Sequence, residues 1–228
     1  MKKFFLALGC ACMLLSSCGT MSNLAKGSAI GSGSGAALGA AVGALIGKDG
    51  KSAAIGAAIG TAVGASAGAI IGNKMDKKAE ELAALEGANV ELVKDANDLE
   101  AIKVTFDSGI LFKTNSSTLN DVSKKSLSEF ARQMVDLPET DITIYGHTDN
   151  TGTSEVNERL SKQRADAVAS YLNSCNIASD RMTAEGKSFT MPVADNSTAE
   201  GRAQNRRVEI YITANPTMVK QAEEGTLK

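Results

Sequence analysis

Two oppositely charged residues are the strongest candidates for binding chemistry in this sequence. The stretch HTDNTGTSEVNERLSKQR, residues 147–164, places Asp149 in a turn and Arg164 in a predicted helix. Arg164 shares an i, i+4 stripe with Leu160 and Val168, which should face a core. A buried cation needs an anion, because burial of an unpaired charge is costly. Asp149 is therefore the first candidate partner of Arg164.

The pair of Asp149 and Arg164 is open to two interpretations. In the first, the two residues form a structural ion pair that holds the turn against the helix. In the second, they receive a zwitterion, with the ligand's carboxylate on the arginine fork and its ammonium on the aspartate. Asn157 lies on the same side of the helix as Arg164 and offers both a donor and an acceptor.

A strand and the helix that follows it must position these side chains. Alternating apolar residues predict a strand over residues 141–146, and a helical period predicts a helix that begins near Ser154. An earlier helical face ends at Pro138, which cannot continue a helix. The order βαβαβ…β over residues 99–213 favours an α+β two-layer sandwich, in which a mixed sheet carries helices on one face.

The segments that flank this domain show weaker patterns. Residues 73–98 are charged at first, and we expect them to form a solvated connector that ends with the start of a β-hairpin. The turn of that hairpin is predicted at residues 95–98. Residues 214–228 are expected to form a C-terminal tail.

Residues 27–72 differ in composition from the rest of the chain, because glycine recurs at every fourth position over long stretches. No charge lies between Lys26 and Lys48 or between Lys51 and Lys74. Glycine on one ridge lets helix backbones approach closely, so the pattern predicts a glycine-zipper helical hairpin, each helix about 30 Å long. The alternative is a flexible low-complexity linker, since glycine disfavours helices in water.

The N-terminus has the order of an export signal. A charged start precedes an almost wholly apolar run over residues 4–15, which is too short for an ordinary membrane span. Leu-Ser-Ser-Cys at residues 15–18 resembles a bacterial lipobox, in which the cysteine becomes the acylated first residue. We expect a lipoprotein signal peptide over residues 1–17, lipidation of Cys18 and a lipidated tether over residues 18–26.

Composition and cysteine content narrow the function classes. The net charge of −2 argues against nucleic acid as a partner, because phosphate neutralisation requires a basic field. Removal of the signal leaves Cys18 and Cys175, and acylation of Cys18 would leave no disulfide within the chain. Cys175 ends an apolar helix face and is expected to be a small core residue.

The sequence lacks the combinations of residues that would indicate a metal site or a catalytic site. His147 is the single histidine, and no second histidine or cysteine pair stands at metal-ligand spacing. No pair of carboxylates is placed for glycoside hydrolysis. We therefore expect no catalytic activity, no cofactor and no metal, and a structural role for His147.

Several motifs recur together in the C-terminal half of the chain: Gly146-His147-Thr148-Asp149, Asn157, Leu160-Ser161, Arg164-Ala165, Val168, Gly201-Arg202 and Asn205-Arg206-Arg207-Val208. They resemble the OmpA C-terminal-like domain of Gram-negative envelope proteins, a family that includes Pal-type lipoproteins. Together with the lipobox and the glycine zipper, the layout is similar to lipoproteins of the YiaD type. The resemblance covers about residues 99–213. It implies non-covalent binding of peptidoglycan through the diaminopimelate of the stem peptide.

The same resemblance implies which residues bind the ligand. Asp149 and Arg164 would grip the amino-acid end of diaminopimelate, which favours the zwitterion interpretation. Asn157 and Arg206 match further positions of the family's motif. Thr148 and Leu160 lie where the family lines its pocket. The expected site therefore consists of Asp149, Arg164, Asn157, Arg206, Thr148 and Leu160.

These expectations describe a lipid-anchored protein of the cell outer membrane whose C-terminal domain lies in the periplasm and tethers the membrane to the wall. Gly19 after Cys18 resembles the outer-membrane sorting pattern of enteric bacteria. The alternative is a structural membrane protein whose glycine zipper inserts or self-associates, with the C-terminal domain only localising it.

Overall fold

A five-stranded mixed sheet forms the centre of the domain. The computed structural model describes residues 63–112 and 115–228. Cys18, the predicted signal peptide, the tether and the glycine-rich residues before 63 lie outside these ranges. In chain order the elements are α1 (Ala65–Leu82), β1 (Ala88–Lys94), β2 (Glu100–Asp107), α2 (Ser108–Leu111), α3 (Asp121–Val135), β3 (Thr140–Gly146), α4 (Ser154–Ser174), a 3-10 turn (Ser179–Arg181), β4 (Met182–Gly186), α5 (Ala199–Asn205), β5 (Arg207–Ala214) and α6 (Pro216–Glu223).

The strands lie in the order β1-β2-β5-β3-β4. Strands β3 and β4 run parallel, whereas β1 with β2, β2 with β5 and β3 with β5 are antiparallel. The predicted hairpin is confirmed, since β1 pairs with β2 around the turn at residues 95–98. Because β5 lies between β2 and β3, the last strand of the chain is central, and the predicted mixed α+β sheet is confirmed.

One face of the sheet forms the core with the helices. Val104, Ile144 and Ile210 occupy aligned positions on three neighbouring strands, and each is fully buried. Phe130 of α3 and Val168 of α4 belong to the same cluster. The period of two along each strand turns the alternate residues to the opposite face.

Polar side chains cap the helices that surround the site. The side chain of Thr153 accepts a hydrogen bond from the Val156 amide at the start of α4, and that of Thr198 accepts one from the Gly201 amide at the start of α5. Such caps satisfy amide groups that have no partner within the helix. The first residues of α4 and α5 are therefore fixed next to the loops that precede them.

Helix α1 corrects the expectation of a solvated connector after residue 72. It runs without interruption across that position, and its Ile71, Met75 and Leu82 side chains are fully buried in the domain core. These residues share one helical face with Ala79, so the charged residues between them occupy the opposite face. No helix in the described ranges is long and apolar enough to cross a membrane.

Helix α6 likewise replaces the expected C-terminal tail. Asn215 caps the helix by accepting a hydrogen bond from the Met218 amide at 3.0 Å, and Pro216 occupies its first turn. Met218 and Ala222 are buried, and the helix packs against α1. The folded unit therefore extends beyond residues 99–213 on both sides.

Candidate functional site

The pairing of β3 with β5 brings Asp149 and Arg206 together. Gly146 lies opposite Val208, and the ladder continues with a hydrogen bond from the His147 amide to the Arg207 carbonyl at 2.9 Å. Asp149 follows the end of β3, and Arg206 precedes the start of β5. The Arg206 Nη1 atom donates to Asp149 Oδ2 at 2.6 Å.

Two glycines allow helix α4 to lie directly on the strand ends. Gly146 and Gly186 face each other in the parallel pair of β3 and β4. A Cβ atom at Gly146 would stand 2.1 Å from the Ser161 carbonyl oxygen, and one at Gly186 would stand 2.6 Å from the Lys162 amide nitrogen. Larger residues would push α4 away, so the glycines set the position of Arg164, which lies one helical turn after Ser161.

Asp149 is held as a carboxylate by its neighbours. Its Oδ1 atom accepts a hydrogen bond from the Thr151 amide at 2.8 Å, while Arg206 occupies Oδ2. Burial raises the pKa of Asp149, but the hydrogen bonds from Arg206 and Thr151 outweigh burial, and the pKa lies below its ordinary value. The side chain is therefore ionised at neutral pH and can bind a cation.

Asn157 supports the loop that carries Asp149. The side chain is buried, and its Nδ2 atom donates to the Thr151 carbonyl at 2.9 Å. Gly152, the next residue in the loop, has a φ of 94°, a conformation that favours glycine. The contact with Asn157 therefore fixes the turn through which Thr151 reaches Asp149.

Arg164 lies near the ion pair of Asp149 and Arg206 but forms no ion pair with Asp149. Its side chain is 4% exposed, its Nε atom donates to the Ser116 carbonyl at 3.1 Å, and its Cζ atom lies 5.2 Å from the centre of the Phe112 ring. No carboxylate of residues 63–112 or 115–228 forms an ion pair with it. The first of the two interpretations, a structural ion pair between Asp149 and Arg164, does not hold in this structure, because Arg206 pairs with the Asp149 carboxylate.

The electrostatic environment of Arg164 reflects burial near a second cation. Burial lowers the pKa of Arg164, the charge of Arg206 lowers it further, and the charge of Asp149 opposes both effects. The guanidinium remains protonated, because the intrinsic pKa of arginine is far above neutral pH. Arg164, Arg206 and Asp149 thus form a cluster with net positive charge near the ends of β3 and β5, which we call the recess.

The other two expected residues border this recess differently. Thr148 is buried, its amide donates to the Ser188 carbonyl at 2.9 Å, and its Oγ1 atom has no hydrogen-bond partner among the described residues. Leu160 is half-buried on α4. Sequence reasoning missed Ser188, whose amide donates to Ser161 Oγ at 3.1 Å and so joins the strand ends to α4.

A buried polar network lies directly behind the recess. Glu209 accepts hydrogen bonds from Arg207 Nε at 2.7 Å and from the Tyr211 hydroxyl at 2.8 Å, and its Oε2 atom lies 3.4 Å from His147 Nε2. Burial lowers the pKa of His147, although the nearby Glu209 carboxylate opposes this effect. Alternation along β5 placed Arg207 and Glu209 on the same face, but the sequence did not show that His147 would reach them.

The fold and these charged residues together define a class: a two-layer α+β domain with a cluster of buried and half-buried charges where β3 and β5 end. The chain belongs to the OmpA family, whose sequence pattern matches residues 111–206. The pattern described as YMGG-like Gly-zipper matches residues 1–76. Both matches confirm the resemblances inferred from the sequence.

Relatives support this assignment along most of the described chain. The probable lipoprotein YiaD of Escherichia coli is 36% identical over 57% of this chain and 58% of its own length. The outer-membrane lipoprotein YfiB of Pseudomonas aeruginosa is 34% identical over 60% of this chain and 78% of its own length. The structure of the cell wall anchor of the T6SS from Pseudomonas aeruginosa is 32% identical, with a TM-score of 0.53, and the match covers 62% of this chain and 97% of that chain.

The match to longer relatives is partial. The chain spans 58% of the length of YiaD and about a third of the length of some other curated relatives.

Within the described ranges, no group of three or more His, Cys, Asp or Glu side chains could hold a metal ion.

Proposed function

We propose that this chain is a non-enzymatic, lipid-anchored envelope protein that binds peptidoglycan and tethers the outer membrane to the wall. The ligand is the diaminopimelate of the stem peptide, and the binding is non-covalent. The similarity to a solved cell wall anchor and to two lipoproteins supports the general role. The recess at Asp149 and Arg164 supports the particular ligand.

One observation carries the proposal: Arg164 is buried, charged and without an ion-pair partner among the described residues. Its Nε atom and its ring contact hold the side chain in place. A fixed guanidinium fork matches the two oxygens of a carboxylate, and the hydrogen bonds gain strength from both charges. A ligand carboxylate would supply the missing counter-ion.

Asp149 would bind the ammonium group of the same amino-acid end. Its present partner, Arg206, has a side chain that is 41% exposed, so it can move into solvent or toward the ligand without disturbing the core. The ligand ammonium would then replace the guanidinium on Oδ2, while the Thr151 amide keeps Oδ1 in place. Diaminopimelate suits this arrangement because its free end carries an ammonium and a carboxylate on one carbon.

The tether requires anchors at both ends of the chain. Acyl chains on Cys18 would hold the N-terminus in the outer membrane after removal of residues 1–17, and the domain in the periplasm would hold the wall. Weak individual contacts are sufficient, since many copies on one polymer bind together. A Cys18→Ala variant is expected to lose membrane association while the domain still binds the wall.

The test is co-sedimentation of the full-length protein, in detergent, with purified peptidoglycan sacculi. Arg164→Ala and Asp149→Asn each remove one charge from the recess and are expected to leave the protein in the supernatant. Arg159→Ala and Asp180→Asn remove the same charges from exposed positions and serve as matched controls that should pellet. Circular dichroism confirms that every variant is folded.

The outcomes distinguish a role of Asp149 and Arg164 in ligand binding from a purely structural role. Pelleting of wild type and both controls, with loss of both recess variants, supports the zwitterion site. If the folded recess variants pellet as well as wild type, the site lies elsewhere on the domain. If wild type stays soluble, wall binding itself is wrong.

The match of residues 1–76 to a Gly-zipper pattern favours a second role. In this alternative, the part of the predicted helical hairpin that precedes α1 inserts or self-associates, and the domain only localises it. A deletion of residues 27–62 discriminates the two roles and spares α1, whose Ile71 is buried in the core. Wall binding should survive the deletion, whereas self-association in membranes should be lost if the zipper has this role.

A further inference from the structure

One side-chain amide outside the expected site joins the two halves of the recess. The Oδ1 atom of Asn196 accepts hydrogen bonds from the Asn150 amide at 3.4 Å and from Asn205 Nδ2 at 2.9 Å. Asn150 follows Asp149 in the chain, and Asn205 precedes Arg206. Asn196 therefore contacts the direct neighbour of each member of the ion pair.

Asn205 is fixed by several hydrogen bonds at once. The residue is fully buried, and its Oδ1 atom accepts from the Val193 amide at 2.8 Å and the Ala194 amide at 3.1 Å. Its Nδ2 atom donates to the Ala194 carbonyl at 2.8 Å as well as to Asn196. The end of α5 is thus bound to the loop over residues 189–198.

The same loop packs tightly against the start of α5. The Arg202 Nη1 atom donates to the Asn196 carbonyl at 2.9 Å. A Cβ atom at Gly201 would stand 2.0 Å from the Asp195 carbonyl oxygen, so the loop backbone touches the helix where only glycine fits. These contacts hold the backbone of Asn196, and its side chain then bridges to Asn150.

We propose that Asn196 is a positioning residue for the recess. The ladder between β3 and β5 fixes the chain as far as the hydrogen bond from His147 to Arg207, and both Asp149 and Arg206 lie beyond it. By tying Asn150 to Asn205, Asn196 sets the separation of the Asp149 carboxylate from the Arg206 guanidinium. This separation determines how readily a ligand ammonium replaces Arg206, and the inference rests on the function proposed above.

The test is titration calorimetry of the full-length protein, in detergent, with a stem tripeptide that ends in meso-diaminopimelate. Asn196→Ala removes the shared acceptor and is expected to weaken binding about fivefold, the effect of one net hydrogen bond. Asn196→Asp keeps an acceptor oxygen in the same position and is expected to bind within about twofold of wild type. Asn196→Gln displaces the oxygen by one methylene and should behave like the alanine variant.

A matched control separates positioning from stability. Asn215→Ala also removes a side-chain acceptor from a backbone amide, that of Met218, at the start of α6. It should lower the unfolding midpoint and leave the affinity unchanged. Asn196→Ala should change the affinity, and Asn196→Asp should restore it, which a general loss of stability would not produce.

The positioning role of Asn196 and the binding of diaminopimelate are tested by different results. Wild-type affinity in Asn196→Ala or Asn196→Gln, or equal loss in the alanine and aspartate variants, overturns the positioning role while Arg164→Ala still abolishes binding. If wild type does not bind the tripeptide, the proposed function fails and the positioning role fails with it.

Discussion

Asp149 Oδ2 lies 2.6 Å from Arg206 Nη1, so the carboxylate that the sequence assigns to Arg164 is held by a different arginine. Arg206 is the internal counter-ion of Asp149, and in the proposed function a ligand ammonium replaces it. Arg164 is buried near this pair and has no ion-pair partner among the described residues, and in the same proposal it binds the carboxylate of the ligand. The arrangement explains why one aspartate stands near two arginines.

Removal of Arg206 should raise the pKa of Asp149. The hydrogen bond and the charge of Arg206 both lower this pKa, whereas burial raises it. Arg206→Met removes the hydrogen bond and the charge that lower this pKa while burial remains, so the carboxyl should titrate at higher pH than in wild type. Carbon-detected NMR titration of the Asp149 carboxyl measures the shift. Arg159→Met, an exposed change on α4, is the control, and an unchanged Asp149 pKa in Arg206→Met would show that the ion pair does not form in solution.

Stability should fall as the pH falls below about 6.5, because of His147. Burial holds the pKa of His147 below its ordinary value in the folded protein, whereas the unfolded chain has the ordinary value. Between these two values the unfolded state binds more protons, so stability increases with pH. The slope can reach about 1.4 kcal/mol per pH unit. Urea unfolding at several pH values between about 5.5 and 7.5 measures this slope.

The control for this effect is His147→Gln, since His147 is the only histidine in the chain. The substitution should flatten the dependence in that window, whatever its effect on absolute stability. Glu209 does not interfere, because its pKa is lowered and it titrates in more acidic solution. An equal slope in the variant would assign the pH dependence to another group.

A methyl group at Gly146 should displace helix α4. The added Cβ would overlap the Ser161 carbonyl oxygen, which is backbone and cannot turn aside. Gly146→Ala is expected to lower the free energy of unfolding by about 1–3 kcal/mol or more and to weaken ligand binding, because Arg164 moves with α4. Thermal unfolding and sacculus co-sedimentation measure the two effects.

Gly68→Ala provides the matched control for this prediction. Nothing lies within 4 Å of a Cβ atom at Gly68, which occupies a helical position in α1. Alanine there should be neutral or should stabilise the helix by up to about 1 kcal/mol. Similar losses in both variants would mean that α4 does not rest on Gly146.

Helix α1 should contribute to the stability of the domain. Met75 is fully buried in the core, so Met75→Ala is expected to lower the free energy of unfolding by about 2–5 kcal/mol. Lys77→Ala, an exposed change on the same helix, should have little effect. Urea unfolding compares the two. If Met75→Ala unfolds like wild type, α1 does not pack on the sheet in solution.

The alternating strands and the helix around Arg164 were predictable from the sequence, because their apolar periods are regular. Helix α1 was not, since Ile71 and Met75 fall on either side of an apparent change in composition after residue 72. Helix α6 was missed because its apolar face is short, consisting mainly of Met218 and Ala222. Its packing partner, α1, is far away in the sequence, so no local pattern indicated the contact.

Motif resemblance identified the residues of the recess but not their contacts. Asp149 follows strand β3, and Arg164 lies on α4, the next element in the chain. Their proximity could therefore be expected from the order of these two elements. The ion pair of Asp149 with Arg206 spans 57 positions and depends on the pairing of β3 with β5. Gly186 and Asn196 carried no recognisable signal, because their roles arise from tertiary contacts with Ser161 and Asn205.

Variation of the ligand, with the protein unchanged, tests whether Asp149 and Arg164 bind a zwitterion. Titration calorimetry would compare a stem tripeptide that ends in meso-diaminopimelate with the same tripeptide that ends in lysine, whose side-chain ammonium lacks the adjacent carboxylate. The lysine tripeptide should bind at least about tenfold more weakly to wild type, and Arg164→Ala should remove this difference. Equal affinity of wild type for both tripeptides would contradict a zwitterion site at Asp149 and Arg164.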